Sequence, residues 1–199
     1  MADARAATAL IGGIGLLERA INYTLGSLHL VTPQALSSPT PCAGWDVRAL
    51  LAHLDGSFRA LQEAADLGRV DLTAPGDGGA GDPIAGVRNR ACLLVGAWTN
   101  AGEDERLISV AGSPLTAGIV TGAGAIEAAV HGWDLARACG RRHPIPQTLA
   151  EEMLDLAPLL VTAVDRPGRF AAAVEVGPSA IAGDRLVAFL GRRPCSLSR

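Results

Sequence analysis

Apolar residues recur at intervals of three and four along most of the chain, which is the pattern of helices with one buried face. Leu10, Ile14 and Leu17 begin the first apolar stripe, and Leu50 and Leu54 lie in the second. The predicted helices span residues 4–30, 47–67, 83–101, 119–139, 146–164 and 182–190.

Several of these helices carry residues that typically begin or end a helix. Asp46 and Asp82 precede the second and third helices, where an aspartate can accept hydrogen bonds from free backbone N–H groups. Gly140 follows the fourth helix, a common site for a left-handed glycine. His29 lies at the end of the first helix, and we interpret it as a cap rather than a ligand.

The connections between helices are predicted from proline, glycine and short apolar runs. Prolines favour an extended linker over residues 31–45, and Gly, Asp and Pro predict an irregular loop over residues 68–82. Residues 106–110 and 171–176 are predicted to form short strands, with a turn at residues 112–114 after the first.

These elements predict a mainly all-α fold. Four amphipathic helices, some joined by longer connections, favour a four-helix bundle over residues 1–142. Residues 143–199 are expected to form a small appendage of helix and strand packed on the same domain.

Composition and charge exclude several classes of protein. Hydrophobic residues make up 49% of the chain and aromatic residues only 4%, so the core must be aliphatic. The net charge is −3 and no basic stripe is present, which argues against nucleic-acid binding. No apolar run reaches the about 18 residues of a membrane span, and we expect no signal peptide. Four scattered cysteines without a Cys-x-x-Cys motif favour free thiols and a cytoplasmic location.

The fourth predicted helix places three metal-competent side chains on one face. Glu127 and His131 are four residues apart, and Asp134 follows three residues later. At about 100° per residue they fall within about 60° of one another around the helix. Such a set is most often a solvated face. A metal site also needs a ligand from elsewhere in the chain, because two ligands on one helix cannot complete a tetrahedral site. A separate apolar stripe beside them consists of Ile119, Ile126, Val130 and Trp133.

His53 is the candidate for that further ligand, because it lies on the flank of the apolar face of the second helix. Metal sites in bundles are built from facing helices. His53, Glu127 and His131 would supply three ligands and leave a fourth position open, as in catalytic zinc sites. Zinc is the default ion, with nickel, iron or cobalt as alternatives. Asp134 is expected either to hydrogen-bond a ligand or to act as an alternative ligand.

Arginine and cysteine residues are further candidates for chemistry. Arg88 and Arg90 are the charged residues of the third helix, and either could hold an anionic substrate or lie on the surface. Cys42 lies near the candidate site in sequence, and we interpret it as a small apolar packing residue. No Ser-His-Asp or Cys-His set competes with the metal site.

Two stretches of the chain resemble a known family. Residues 40–53 (TPCAGWDVRALLAH) and 127–138 (EAAVHGWDLARA) are similar to the two signature stretches of the actinobacterial mycothiol-dependent maleylpyruvate isomerase N-terminal family, within the DinB/YfiT-like metal-binding superfamily. Residues 184–194 (DRLVAFLGRRP) resemble the C-terminal end of its short members.

The resemblance implies a DinB-like four-helix bundle that holds a divalent metal, usually zinc. The family's ligands match His53, Glu127 and His131. It also implies mycothiol as cosubstrate, whose thiolate is the nucleophilic form, and an arginine near the site that matches Arg88. Arg88 and Asp134 are therefore the candidate catalytic residues.

Three functions follow as hypotheses. The first is a metal-dependent thiol S-transferase or isomerase that acts on a small electrophile. The second is a thiol-independent metal enzyme for hydrolysis, isomerisation or cyclisation in a biosynthetic pathway, and the third is a non-catalytic metal- or ligand-binding protein. A homodimer is a further expectation, with Trp98 or the helix at residues 146–164 supplying the contact.

Overall fold

Four long helices form the body of the molecule in the computed structural model, which describes residues 12–71, 81–101, 105–164, 166 and 170–194. The first helix packs along the fourth, the second along the third, and the second also contacts the fourth. This arrangement confirms the mainly α-helical class, with a small appendage. The six helices described are α1 (Gly13–Leu28), α2 (Val47–Leu67), α3 (Pro83–Ala101), α4 (Ala117–Ala138), α5 (Gln147–Leu160) and α6 (Ala182–Phe189).

The predicted bounds of α2 and α3 are confirmed, whereas α1 ends two residues and α4 one residue before the predicted ends. Asp46 Oδ1 accepts a hydrogen bond from the backbone N–H of Ala49 at 2.8 Å, and α2 spans the predicted residues. Asp82 Oδ1 accepts one from Ile84 N at 2.9 Å. Gly140 follows α4 with a left-handed φ of 67°. The predicted start of the first helix, residues 4–11, lies outside the described residues.

A three-stranded sheet lies beside the helices, and it corrects two predictions. Its strands are β1 (Arg69–Val70), β2 (Leu107–Val110) and β3 (Ser113–Thr116), in the order β1-β2-β3. β1 pairs parallel to β2, and β2 pairs antiparallel to β3. The irregular loop predicted from residue 68 therefore begins with a strand. The turn lies at residues 111–112, one position earlier than predicted, because Ser113 and Pro114 belong to β3.

Other connections also differ from prediction. The linker after α1 contains a 3-10 helix, Pro33–Ser37, because a proline is compatible with the first position of a helical turn. The helix predicted to reach residue 164 ends at Leu160. The strand predicted over residues 171–176 is absent from that described segment. Instead, Val174 N donates a single hydrogen bond to Ala188 O at 2.9 Å.

Helix α4 lies at the centre of the fold and is buried on nearly all sides. The apolar stripe expected on it is largely buried, but so are His131 and Asp134 on the neighbouring face. The reason is that α1, α2 and α5 all pack against α4. Among the described residues, no helix has the length and apolar character required to cross a bilayer.

Small residues let α1 and α4 approach closely. The hydroxyl of Thr24 in α1 donates to the Ala128 carbonyl in α4 at 2.7 Å, so a side-chain-to-backbone hydrogen bond links the two helices. A Cβ added at Gly13 would lie 2.9 Å from the Gly118 carbonyl oxygen and closer still to the Thr121 hydroxyl. This close approach fixes the position of α4, which carries two of the candidate ligands.

Gly13 and Gly15 form a matched pair for testing this contact. We expect Gly13→Ala to lower the free energy of unfolding by about 1–3 kcal/mol, because the added methyl group overpacks the interface. Gly15→Ala should raise it by up to about 1 kcal/mol, since nothing lies within 4 Å of an added Cβ there and alanine favours the helix. Urea unfolding measures both, and equal effects of the two substitutions would contradict the close α1–α4 contact.

Candidate metal centre

Three side chains from two helices meet at one point, as the sequence predicts. His53 projects from α2, whereas Glu127 and His131 project from α4, and one ligand atom of each lies within 4.8 Å of the others. His53 Nε2 is hydrogen-bonded to Glu127 Oε1, and His131 Nε2 lies 3.3 Å from the same oxygen. Each imidazole therefore directs its Nε2 atom towards the Glu127 carboxylate.

The cluster is buried at one end and open at the other. The side chain of His131 is 6% exposed, whereas those of Glu127 and His53 are 32% and 37% exposed. His53 thus lies on the flank of α2, as its helical position predicts. The cluster is therefore accessible to solvent from the side of His53 and Glu127.

Behind the cluster, a fully buried carboxylate orients His131. Asp134 Oδ2 lies 2.9 Å from His131 Nδ1 and accepts a hydrogen bond from Arg192 Nη2, also at 2.9 Å. Asp134 is on the opposite side of the imidazole from Glu127, since it contacts Nδ1 rather than Nε2. Of the two roles weighed for Asp134, this geometry supports that of a hydrogen-bond partner to a ligand.

Two more side chains surround the cluster. The Trp45 ring packs beside both imidazoles: it is tilted against His53 at a centroid distance of 4.6 Å and roughly parallel to His131 at 6.2 Å. Ser57, one turn after His53 on α2, donates its hydroxyl to Glu127 Oε1 at 3.2 Å. A tight turn holds Trp45 in place, because Thr40 N donates to the Trp45 carbonyl at 3.0 Å just before α2 begins.

The charges of Glu127 and His131 depend on each other. Burial raises the pKa of Glu127, but the charge and hydrogen bond of His131, together with His53, hold that pKa well below its usual range. Burial lowers the pKa of His131, yet Glu127 and Asp134 outweigh it and raise the pKa to about 9. A ligating imidazole must be neutral, so a bound cation would take the place of the imidazolium proton.

The donor set suits a divalent transition metal. Two imidazole nitrogens and one carboxylate oxygen, with one open side, match the ligands of catalytic zinc sites. A ligating imidazole typically donates its other N–H to a carboxylate, and Asp134 is placed to accept it from His131. In the described part of the chain, His53, Glu127 and His131 are the one group of three such residues close enough to share an ion.

The two arginines of α3 have different surroundings. Arg90 Nε donates to Asp55 Oδ1 of α2 at 2.6 Å, so it forms an ion pair between helices. Arg88 Nε is buried and has no hydrogen-bond partner among the described residues. His29 is exposed and follows the last residue of α1, in agreement with its interpretation as a cap.

Cys42 lies half-buried near the cluster, in the turn that holds Trp45. Burial raises the pKa of its thiol, and the nearby Arg192 offsets this only in part. The residue is therefore a neutral thiol at pH 7, and a neutral thiol is a poor nucleophile. This agrees with its interpretation as a packing residue.

Three residues of the site were not predicted from the sequence: Ser57, Trp45 and Arg192. Ser57 had a usable signal, because it lies four residues after His53 and thus on the same face of α2. Trp45 lies inside the first signature stretch, but no local pattern indicates that its ring packs against the two imidazoles. Arg192 had no local signal, since it lies 58 residues after the Asp134 carboxylate that it contacts.

The state of Cys42 can be tested by comparison with Cys92, which is exposed. We expect iodoacetamide at pH 7 to label Cys92 faster than Cys42 by about tenfold or more, because Cys92 is exposed, whereas Cys42 is half-buried and burial raises the pKa of its thiol. Peptide mapping by mass spectrometry over a time course measures both rates in one sample. Faster labelling of Cys42 would contradict the raised pKa and make it a candidate nucleophile.

Comparison with known proteins adds one match. The family model for the mycothiol maleylpyruvate isomerase N-terminal domain matches residues 17–136, which is more than half of the chain. The match covers α2, α3 and nearly all of α4, and so includes His53, Glu127 and His131. No curated protein and no solved structure matches the chain.

Proposed function

The chain belongs to the family of the mycothiol maleylpyruvate isomerase N-terminal domain, and we propose that it is a metal-dependent enzyme that transfers a low-molecular-weight thiol to a small electrophile. The observation that carries the proposal is the convergence of His53 Nε2 and His131 Nε2 on Glu127 Oε1 beside an open side of the fold. The name of the family indicates mycothiol as this thiol.

In this proposal His53, Glu127 and His131 hold a divalent cation, with zinc as the default ion. When bound, the cation supplies the Lewis acidity that keeps a thiol in its nucleophilic thiolate form at neutral pH. Asp134 keeps the proton of His131 on Nδ1, so that Nε2 faces the ion. Trp45 restricts the orientation of the His53 ring by packing against it at a tilt.

The charges around the site favour an anionic sulfur as the fourth ligand. The carboxylates of Glu127 and Asp134 and the guanidinium of Arg192 leave one net negative charge when both imidazoles are neutral. A divalent cation changes this to one net positive charge, which a single thiolate neutralises. Such a balance matters because an unpaired charge in a partly buried site is costly.

The transfer itself forms a sulfur–carbon bond. The thiol loses its proton, and the sulfur attacks the electrophilic carbon held next to it, which adds the advantage of proximity. When the thiol adds across a carbon–carbon double bond, the proton goes to the neighbouring carbon. When the thiol displaces a leaving group, the proton departs with that group. Reversible addition to a conjugated double bond also permits isomerisation about that bond.

Metal content is the first test. Protein purified without a nickel column should contain about one equivalent of zinc per chain by mass spectrometry. His53→Ala should lose most of this metal, because two remaining ligands cannot retain it. His29→Ala is the matched control and should keep it, since His29 is exposed at the end of α1. Equal metal in all three proteins, or none in any after incubation with zinc, would contradict the site.

A titration with mycothiol separates the thiol-dependent reaction from the alternatives. In cobalt-substituted protein, mycothiol should produce a sulfur-to-cobalt charge-transfer band, because the thiolate occupies the open position. Metal binding without this band would favour the thiol-independent enzyme. A band without turnover across a panel of electrophiles would favour the non-catalytic binding protein.

Arg88 and Arg90 offer a matched pair for the anion-binding role. We propose that Arg88 holds an acidic group of the electrophile, which is supported by its buried, unpartnered Nε. Arg88→Met should lower kcat/KM for mycothiol transfer to maleate by about 10- to 100-fold, the worth of a hydrogen bond between charged groups. It should have little effect with uncharged chlorodinitrobenzene. Arg90→Met should leave both rates near those of the wild type. Equal losses of Arg88→Met with both substrates would contradict the proposed role of Arg88.

A further inference from the structure

The last described segment of the chain reaches the metal centre through one side chain. Arg192 follows α6, and its side chain is 11% exposed, whereas that of Asp134 is fully buried. Arg192 Nη2 donates to Asp134 Oδ2 at 2.9 Å, and its Nε lies 3.5 Å from Oδ1. The guanidinium thus faces both oxygens of the carboxylate and fixes its plane.

The backbone around Arg192 is built to direct this side chain. Gly191 ends α6 in a left-handed conformation with a φ of 84°, and a Cβ there would lie 2.8 Å from that of Ala171. Arg192 N donates to the Val187 carbonyl at 2.9 Å, and Nη1 donates to the Leu190 carbonyl at 3.0 Å. The turn leaves Arg192 directed inwards, while the next residue, Arg193, is exposed.

Of the two Asp134 oxygens that Arg192 faces, the nearer one, Oδ2, is also the one that faces His131. Asp134 Oδ2 lies 2.9 Å from His131 Nδ1 as well as 2.9 Å from Arg192 Nη2. Rotation of the carboxylate would break both contacts together. A carboxylate held in this way fixes which imidazole nitrogen carries the proton and which is free for a metal.

We propose that Arg192 is a positioning residue of the metal centre, acting through Asp134 to hold His131 with Nε2 towards the ion. This inference rests on the proposed metal site. It places part of that site outside residues 17–136, the range matched by the family model. The segment after α5 is then required for tight metal binding as well as for packing.

The test measures zinc affinity by competition with a chromophoric chelator. Arg192→Met keeps the apolar stem and removes the charge, and zinc should bind about 10- to 100-fold more weakly, as is typical for loss of such a partner. Arg193→Met is the neighbouring control and should bind zinc as the wild type does. Arg192→Lys keeps the charge without the planar fork and should show a smaller loss. Circular dichroism and urea unfolding identify variants that fail to fold. If Arg192→Met fails to fold, the zinc affinity of Arg192→Lys is the deciding measurement.

A double-mutant cycle with Asp134→Asn tests the route of the effect. If Arg192 acts through Asp134, Arg192→Met should cause little further loss of zinc affinity in the Asp134→Asn background. A full additional loss would overturn the inference, as would wild-type affinity in both Arg192 variants. The cobalt absorption spectrum should also change in Arg192→Met and not in Arg193→Met, because only the former alters the geometry of His131. Failure of the wild type to bind zinc would instead overturn the proposed function, and this inference with it.

Discussion

The burial of the Asp134 carboxylate constrains the rest of the centre. A carboxylate with no solvent contact must be paired with cations or N–H donors, because its desolvation is otherwise too costly. The structure meets this need with His131 on one side and Arg192 on the other. The imidazole that is held in this way cannot turn freely, so the buried end of the site is fixed before any ligand arrives. Close packing of α1 on α4 supports the same helix from behind.

The open end of the site has the opposite character. His53 and Glu127 are each about one-third exposed, and they come from different helices, so their separation depends on how α2 lies against α4. Ser57 and Trp45 limit their motion without closing the entrance. A rigid ligand at the back and two accessible ligands at the front suit a centre that exchanges its fourth partner. A closed structural zinc site would instead be four-coordinate and sealed.

The sequence predicts the helices and the pairing of Glu127 with His131 because both depend on local spacing. Glu127 and His131 share a face through their four-residue separation, and the bounds of α2 follow from its cap at Asp46. Their meeting with His53 follows only if the helices face each other, which the bundle pattern favours. Contacts without a local pattern could not be predicted. β1 exists because β2, far along the chain, pairs with it, and Arg192 meets Asp134 only through the tertiary fold.

The family match covers only part of the proposed site. The matched residues 17–136 hold all three proposed ligands and Asp134, but not the arginine that pairs with Asp134. Within the match alone, a buried carboxylate would face one imidazole and lack a balancing cation. In this chain the guanidinium comes from outside the match, where a left-handed turn at Gly191 directs Arg192 inwards. We therefore expect the C-terminal segment of this chain to determine how firmly His131 is held, and so how tightly the proposed site binds a metal.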